Sequence, residues 1–321
     1  MTDNLYQQEA EFALEAVRQG ALLARQIRQD FGQVHVHKRD RSPVTLADYG
    51  VQALVAGRLE EAFPDNPLVA EEEASSLKKD LDSPRLKEYL DSYWPEVADQ
   101  QIIDWIARGA GRPRSDGKFW TLDPVDGTKG YLRGGQYVVA LALIDRGQVV
   151  VGALGCPEFG DGGSAAFALA GAGAWREPLE GGKRRKLSVS QIHDPSDARL
   201  IHSVEPSHTN LDIMQHIQSD LGTAAEPLLM DSQVKYLMIA AGEADIMFRP
   251  TPSTDPGYRS TIWDVAAGSL LVEEAGGRVT DLDGRDLDFA VGIRLANNRG
   301  MLVSNGHLHE AGRRAVLKEQ A

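Results

Sequence analysis

Apolar positions recur at helical spacing near the start of the chain: Leu14, Val17, Ala21, Ala24 and Ile27 fall three or four apart, which predicts an amphipathic helix over 11–31. A second helix is expected over 47–63, with Val51, Leu54, Val55 and Leu59 on its buried face. Residues 77–114 read as helical segments that end in a loop rich in Gly and Arg, ARGAGRPRSDGK. From residue 119 the texture turns to short apolar runs, and strands are predicted at 119–122, 138–145, 149–154, 165–170, 173–176 and 186–189. Between two of these, GGKRRK at Gly181 reads as an exposed turn. Beyond Asp194 strands and helices alternate: strand 200–204, helix 210–221, helix 232–241, strand 246–248, then a helix from Asp264 that stops at Gly276 and Gly277, where glycine accepts the left-handed cap. At 321 residues the chain is long for one core, and the change of texture predicts an α+β domain over 1–195 and an α/β domain over 196–321.

Charge narrows the partners. The net charge is −13 at pH 7, which disfavours nucleic acid and anionic membrane surfaces alike. Cys156 is the single cysteine, so an intrachain disulfide is excluded and a reducing compartment is expected. Residues 1–12 are polar and acidic, unlike a signal peptide, and the apolar run 138–144 is too short to span a bilayer. The expected location is the cytoplasm.

Chemistry concentrates in four segments. Leu122 opens LDPVDGT, which taken alone is a good recipe for a turn, with Pro at its second position and Asp and Gly at its ends. Val69 opens VAEEEAS, where an apolar pair runs into three carboxylates; Glu71 falls at the end of a short strand, while Glu73 reads as surface charge. Ser42 opens SPVTLADY, in which Thr45 and Asp48 fit a variant capping box. Ile262 opens IWDVAAG, which brings Asp264 to a helix start. Hard divalent cations take oxygen ligands, and four carboxylates that converged without a cation would force some of their number to protonate. Competing chemistries lack their signatures: the sequence has no GxxxxGK[ST] loop, no GxSxG elbow and no dinucleotide fingerprint after a strand. His35 and His37 share one face of an extended segment, and His307 and His309 have no third ligand at zinc-site spacing.

In this order the segments resemble the lithium-sensitive, magnesium-dependent phosphatase superfamily that includes inositol monophosphatase and the 3'(2'),5'-bisphosphate nucleotidases, over residues 42–304. SPVTLADYGVQ at Ser42, FWTLDPVDGTKGYLRGGQYVVALALI at Phe119, GALGCP at Gly152 and MDSQVKY at Met230 favour the nucleotidase branch. The resemblance implies a two-domain layered αβαβα sugar-phosphatase fold with the metal site in the interdomain cleft. It further implies that Glu71, Asp123, the Val125 carbonyl, Asp126 and Asp264 hold two or three Mg2+ ions. Asp48 and Thr128 would position and deprotonate the attacking water, and the backbone N–H groups of Gly127 and Thr128 would cradle the phosphate. Ser207, His208, Ser232, Lys235 and Arg249 are the positions implied to bind a small nucleotide, with Lys235 and Arg249 suited to its 5'-phosphate. For Lys235 a solvated helix face stays open, as does an ordinary surface position for His208. The implied reaction is hydrolysis of the 3'-phosphate of adenosine 3',5'-bisphosphate (PAP), with its sulfated form PAPS as a second candidate. Two alternatives remain: an inositol phosphate phosphatase of the same fold, and a noncatalytic PAP-binding sensor. A monomer and a homodimer are both open. YRSTIW at Tyr258 lacks the basic residue expected before the Ile-Trp pair, and the linking segment 250–256 differs too, which bears on base selectivity.

Overall fold

The computed structural model describes residues 5–33, 43–73, 83–204, 211–251, 255 and 257–319. Two helices come first, α1 (Gln7–Gln33) and α2 (Pro43–Ala62), packed on each other. Strand β1 (Leu68–Ala70), helices α3 (Ser83–Leu90) and α4 (Asp99–Arg108), strand β2 (Lys118–Asp126) and the short helix α5 (Thr128–Arg133) follow. Next are β3 (Val138–Asp145), β4 (Gln148–Cys156), β5 (Ser164–Leu169), β6 (Gly173–Pro178) and β7 (Arg185–Lys186). The later part holds β8 (Ile201–His202), α6 (Leu211–Leu221), β9 (Leu228–Leu229), α7 (Val234–Ala240), β10 (Ile246–Arg249), α8 (Ala266–Glu274), β11 (Arg278–Thr280), β12 (Met301–Ser304) and α9 (His309–Glu319).

Strands β1 to β7 form one seven-stranded sheet in chain order, antiparallel except for the β1–β2 pair. A second sheet runs β10-β12-β11, and β8, paired in parallel with β9, touches it through the bridge between Leu200 and Ile246. Strand β3 explains why 138–145 is a continuous apolar run. Val139, Leu141 and Leu143 face α1 and α2, while Val138, Ala140, Ala142 and Ile144 face α7 and α8. A strand covered on both sides gains from every residue, roughly 1.5–3 kcal/mol for each large aliphatic side chain. In the second sheet Met247, Met301 and Val303 turn toward the same middle layer, whereas Ile246, Phe248 and Leu302 turn outward onto α6 and α9. The layers therefore run α, β, α, β, α, as the resemblance implied.

Two glycines of GALGCP allow helices to close on β4 from opposite faces. A Cβ on Gly155 would stand 2.3 Å from the carbonyl oxygen of Val17 in α1, and one on Gly152 would stand 2.7 Å from that of Ala267 in α8. Helix α8 is thereby fixed in depth, which matters because Asp264 lies just before it.

Helix α2 begins at Pro43, not at residue 47. Proline suits a first helical turn, where its missing N–H has no partner to lose, so Asp48 lies in the helix body and is not a cap. The helix expected to open at Asp264 opens at Ala266, and left-handed Gly276 follows its end as expected. Strand 186–189 is only Arg185–Lys186, and the helix expected over 232–241 is Val234–Ala240. The GGKRRK turn is exposed along its length. Strands β11 and β12 and helix α9 were not anticipated. The expected histidine pair His35 and His37, together with Ser207 and His208, lies outside the described residues.

Candidate metal and phosphate site

Strands β2 and β3 pair regularly from Lys118 opposite Asp145 to Asp123 opposite Ala140, and the ladder then slips, so that Asp126 faces Val138. Pro124 and Val125 thus share the space opposite Val139, a bulge, and Pro124 brings no N–H to the broken ladder. The bulge re-aims the strand end, and Asp123, Val125 and Asp126 all line one cavity of about 350 Å³. Gly127 then turns the chain with φ 92°, a left-handed conformation that a side chain disfavours. Space forbids a side chain as well, since a Cβ here would stand 2.9 Å from that of Ser232. Helix α5 starts at the next residue, and the Thr128 hydroxyl donates to the Val125 carbonyl at 3.3 Å.

Glu71 reaches the same cavity through sheet register. Ala70 pairs with Leu122, so the residue after β1 stands beside Asp123. Buried Gln52 on α2 holds this strand end. Its amide donates to the carbonyls of Glu72 (2.8 Å) and Ile106 (3.0 Å) and accepts from the Glu72 N–H (3.1 Å). Across the cavity, Asp264 accepts from Arg249 Nη2 at 3.2 Å, and the same nitrogen donates to the Tyr258 hydroxyl at 3.2 Å. Lys235, the second residue of α7, donates to the carbonyls of Met230 (3.2 Å) and Ser232 (2.7 Å) and lines the cavity, so it is not a solvated helix-face residue. Ser232 has φ 61°, which directs the Gln233 N–H onto Asp126 Oδ2 at 2.6 Å.

Glu71, Asp123, Val125, Asp126, Gly127, Thr128, Ser232, Lys235, Arg249 and Asp264 therefore all line one cavity. Asp48, on α2, is buried and does not line it, though its charge is felt by Asp123. His202, Asp231, Gln233, Phe248 and Tyr258 also line the cavity. The sequence offered only indirect signals for these, such as the polar trio of MDSQVKY beside an apolar helix.

The acids of the site hold their protons far longer than ordinary carboxyls. Burial, then the charge of Glu71, pushes Asp123 well above the usual range. Burial and Asp264 push Asp126 up to about 6, against the pull of Lys235, the Gln233 N–H and Arg249. Glu71 keeps an exposed face to the cavity, yet desolvation between its walls and the charges of Asp264 and Glu72 push it up to about 7. Burial and the charges of Glu72 and Glu71 push Asp48 up to about 9. On the cationic side, burial pulls Lys235 down to about 8, although Asp126 opposes it.

This donor set suits a hard cation. Asp123 Oδ1 is buried with no hydrogen-bond partner, an acceptor that water does not reach and no protein donor satisfies. Among the described residues, no group of three or more acidic, histidine or cysteine side chains stands close enough to hold a metal ion by itself. Magnesium does not require one, because it keeps several waters and uses one or two carboxylates plus substrate phosphate oxygens.

A sequence model of the Inositol monophosphatase family matches residues 5–321. The chain is 35% identical over 350 residues to the 3'(2'),5'-bisphosphate nucleotidase of Emericella nidulans, with 98% of each chain covered. It is 38% identical over 348 residues to the 3'(2'),5'-bisphosphate nucleotidase of Oryza sativa, covering 99% of this chain and 96% of that one. Its fold is shared with the solved inositol monophosphatase from Anabaena, at TM-score 0.64 and 21% identity, covering 97% of this chain and 96% of that one.

Proposed function

The chain belongs to the inositol monophosphatase family, and from that premise we propose that it is a magnesium-dependent phosphomonoesterase that converts PAP to AMP and phosphate, with PAPS as a second substrate. One observation carries the reading beyond the family: a single cavity sets four acidic groups, Glu71, Asp123, Asp126 and Asp264, against the cations Lys235 and Arg249. A bisphosphate needs both sides, one phosphate at the metal and one at the cations.

When bound, magnesium would supply Lewis acidity, polarising the phosphoryl group and making water a better nucleophile near neutral pH. Glu71, Asp123, Asp126, Asp264 and the Val125 carbonyl would hold the ions. The backbone N–H groups of Gly127 and Thr128 would orient the 3'-phosphate. The Thr128 hydroxyl would pass the proton of the attacking water toward Asp48, a threonine being too weak a base to keep it. Lys235, Arg249 and Ser232 would hold the spared 5'-phosphate, and His208 the nucleotide. Arg249 offers a planar fork for this, kept protonated by Asp264 despite its burial.

The same reading divides the chain at 195/196, since β1 to β7 precede that point and β8 to β12 follow it. No helix among the described residues is long and apolar enough to cross a membrane, and we propose a cytoplasmic enzyme, a monomer or homodimer.

The deciding experiment is phosphate release in Mg2+ from PAP and inositol 1-phosphate side by side, with and without lithium. Preference for PAP with lithium inhibition supports the proposal. Preference for the inositol ester keeps the mechanism and overturns the substrate, while tight PAP binding without release points to a sensor.

A further inference from the structure

Two acidic ligands in the proposed site, Asp126 and Asp264, come from segments far apart in the chain, and their separation must hold to a fraction of an ångström if ions are to be shared between them. One residue, through its backbone N–H and its side chain, ties these segments together. The Gln233 backbone N–H donates to Asp126 Oδ2 at 2.6 Å. Its side-chain amide donates to the carbonyl of Trp263, next to Asp264, at 3.0 Å, and accepts from the N–H of Gly268 in the first turn of α8 at 3.1 Å. Gln233 is 1% exposed, so none of these groups exchanges its partner for water.

We propose that Gln233 is the positioning residue that sets the distance between the two metal-binding segments; this rests on the metal reading of the cavity given above. The residue type follows from the geometry. Trp263 offers an acceptor and Gly268 a donor, so the linker must present both a donor and an acceptor at the end of a side chain of this length. A primary amide does so in one planar group, whereas ionised glutamate lacks the donor and methionine has no donor and only a weak sulfur acceptor. The strained backbone of Ser232 belongs to the same device: only its left-handed φ of 61° turns the next N–H toward Asp126 while the Gln233 side chain points the other way, into α8. Gly127, which leaves no room for a side chain against Ser232, keeps this segment seated on the Asp126 turn.

The test compares Gln233→Met, which keeps the volume and loses both amide bonds, with Gln233→Glu, which keeps the acceptor and loses the donor. Three quantities are measured for each variant and for the unaltered protein: affinity for Mn2+ alone by calorimetry, the melting temperature without metal, and kcat and KM for PAP in Mg2+. The expected result is Mn2+ affinity lowered at least tenfold in both variants and kcat lowered in step, with KM for PAP changed less than threefold. Mn2+ affinity equal to that of the unaltered protein, beside a lowered melting temperature, would make Gln233 a packing residue only and overturn the proposal. Should Gln233→Met fail to fold, Gln233→Glu decides by the same readouts. A failure of the unaltered protein to bind Mn2+ would instead sink the metal reading itself, so the two failures are distinguishable.

Discussion

Arg249 Nη2 stands 3.2 Å from Asp264 Oδ2, so a residue proposed to bind phosphate and a residue proposed to bind metal touch each other within one cavity. The contact gives Arg249 a fixed orientation without using up its fork, since a guanidinium carries five donors. Arg249→Lys keeps the charge and loses the planar geometry. A charge-assisted hydrogen bond is worth about 1.5–3 kcal/mol, so KM for PAP should rise roughly 10- to 100-fold. A substrate with a single phosphate should be affected far less. Steady-state kinetics on PAP and adenosine 3'-monophosphate check this, and an equal loss on both would detach Arg249 from the second phosphate.

Asp126 accepts from the Gln233 N–H while burial and Asp264 raise it to about 6, so at pH 8 it is ionised at a cost. Asp126→Asn removes that charge. Turnover should vanish, because a proposed metal ligand is lost. The fold should persist, and the metal-free protein should be stabilised by something on the order of 2 kcal/mol, a few degrees in Tm. Circular dichroism melts in a chelator, beside phosphate release in Mg2+, measure both. Near-normal turnover would remove Asp126 from the site.

The same raised carboxyls make metal-free stability depend on pH with a definite sign. Asp126 at about 6, Glu71 at about 7 and Asp48 at about 9 all bind protons more tightly in the fold than their ordinary values allow. These acids therefore carry more protons in the folded than in the unfolded state between about pH 4 and pH 9, and their contribution to stability falls as pH rises through that window, opposed from about pH 8 by Lys235, which burial pulls down to about 8. A cation that neutralises the cluster reverses the trend. Melts in chelator at pH 6, 7.5 and 9 should show declining Tm, and the gain in Tm from added Mg2+ should grow with pH. A gain that is flat across this range would separate metal binding from these acids.

What the sequence disclosed and what it hid divide along physical lines. The Asp123–Asp126 turn was legible because a bulge with proline inside it and a left-handed glycine after it are written in consecutive residues, DPVDG. Helix α1 was legible because its apolar positions repeat with the helical period, and strands β3 and β4 because each is a long apolar run bounded by polar and turn residues. Gln52 and Gln233 were not. Each bonds to backbone groups brought up by the tertiary fold, and nothing local to either residue encodes those partners. Strand β12 escaped for a related reason, since four residues buried on both faces carry no period, and it makes a strand only between β10 and β11. The capping box at Thr45 and Asp48 misled because a proline two residues upstream had already opened the helix.

His309, which does not line the acidic cavity, supplies a second, opposite pH dependence. It is fully buried at the start of α9, with Nε2 2.9 Å from the Thr280 hydroxyl on β11 and Nδ1 2.9 Å from the Ser304 hydroxyl on β12. Burial, reinforced by the charge of Arg278, pulls it down to about 4. The unfolded chain thus binds this proton and the folded chain does not, between about pH 4 and pH 6.5. Stability from this source is fully present above pH 6.5 and is lost as pH falls through that window, by about 3 kcal/mol in all. His309→Gln keeps an amide for one hydroxyl and cannot titrate. It should be less stable than the unaltered protein at pH 7, and the gap should narrow or close by pH 4.5. Urea melts of both proteins at pH 4.5, 5.5 and 7 measure the gap, and a constant gap would mean that His309 does not stay neutral in the fold.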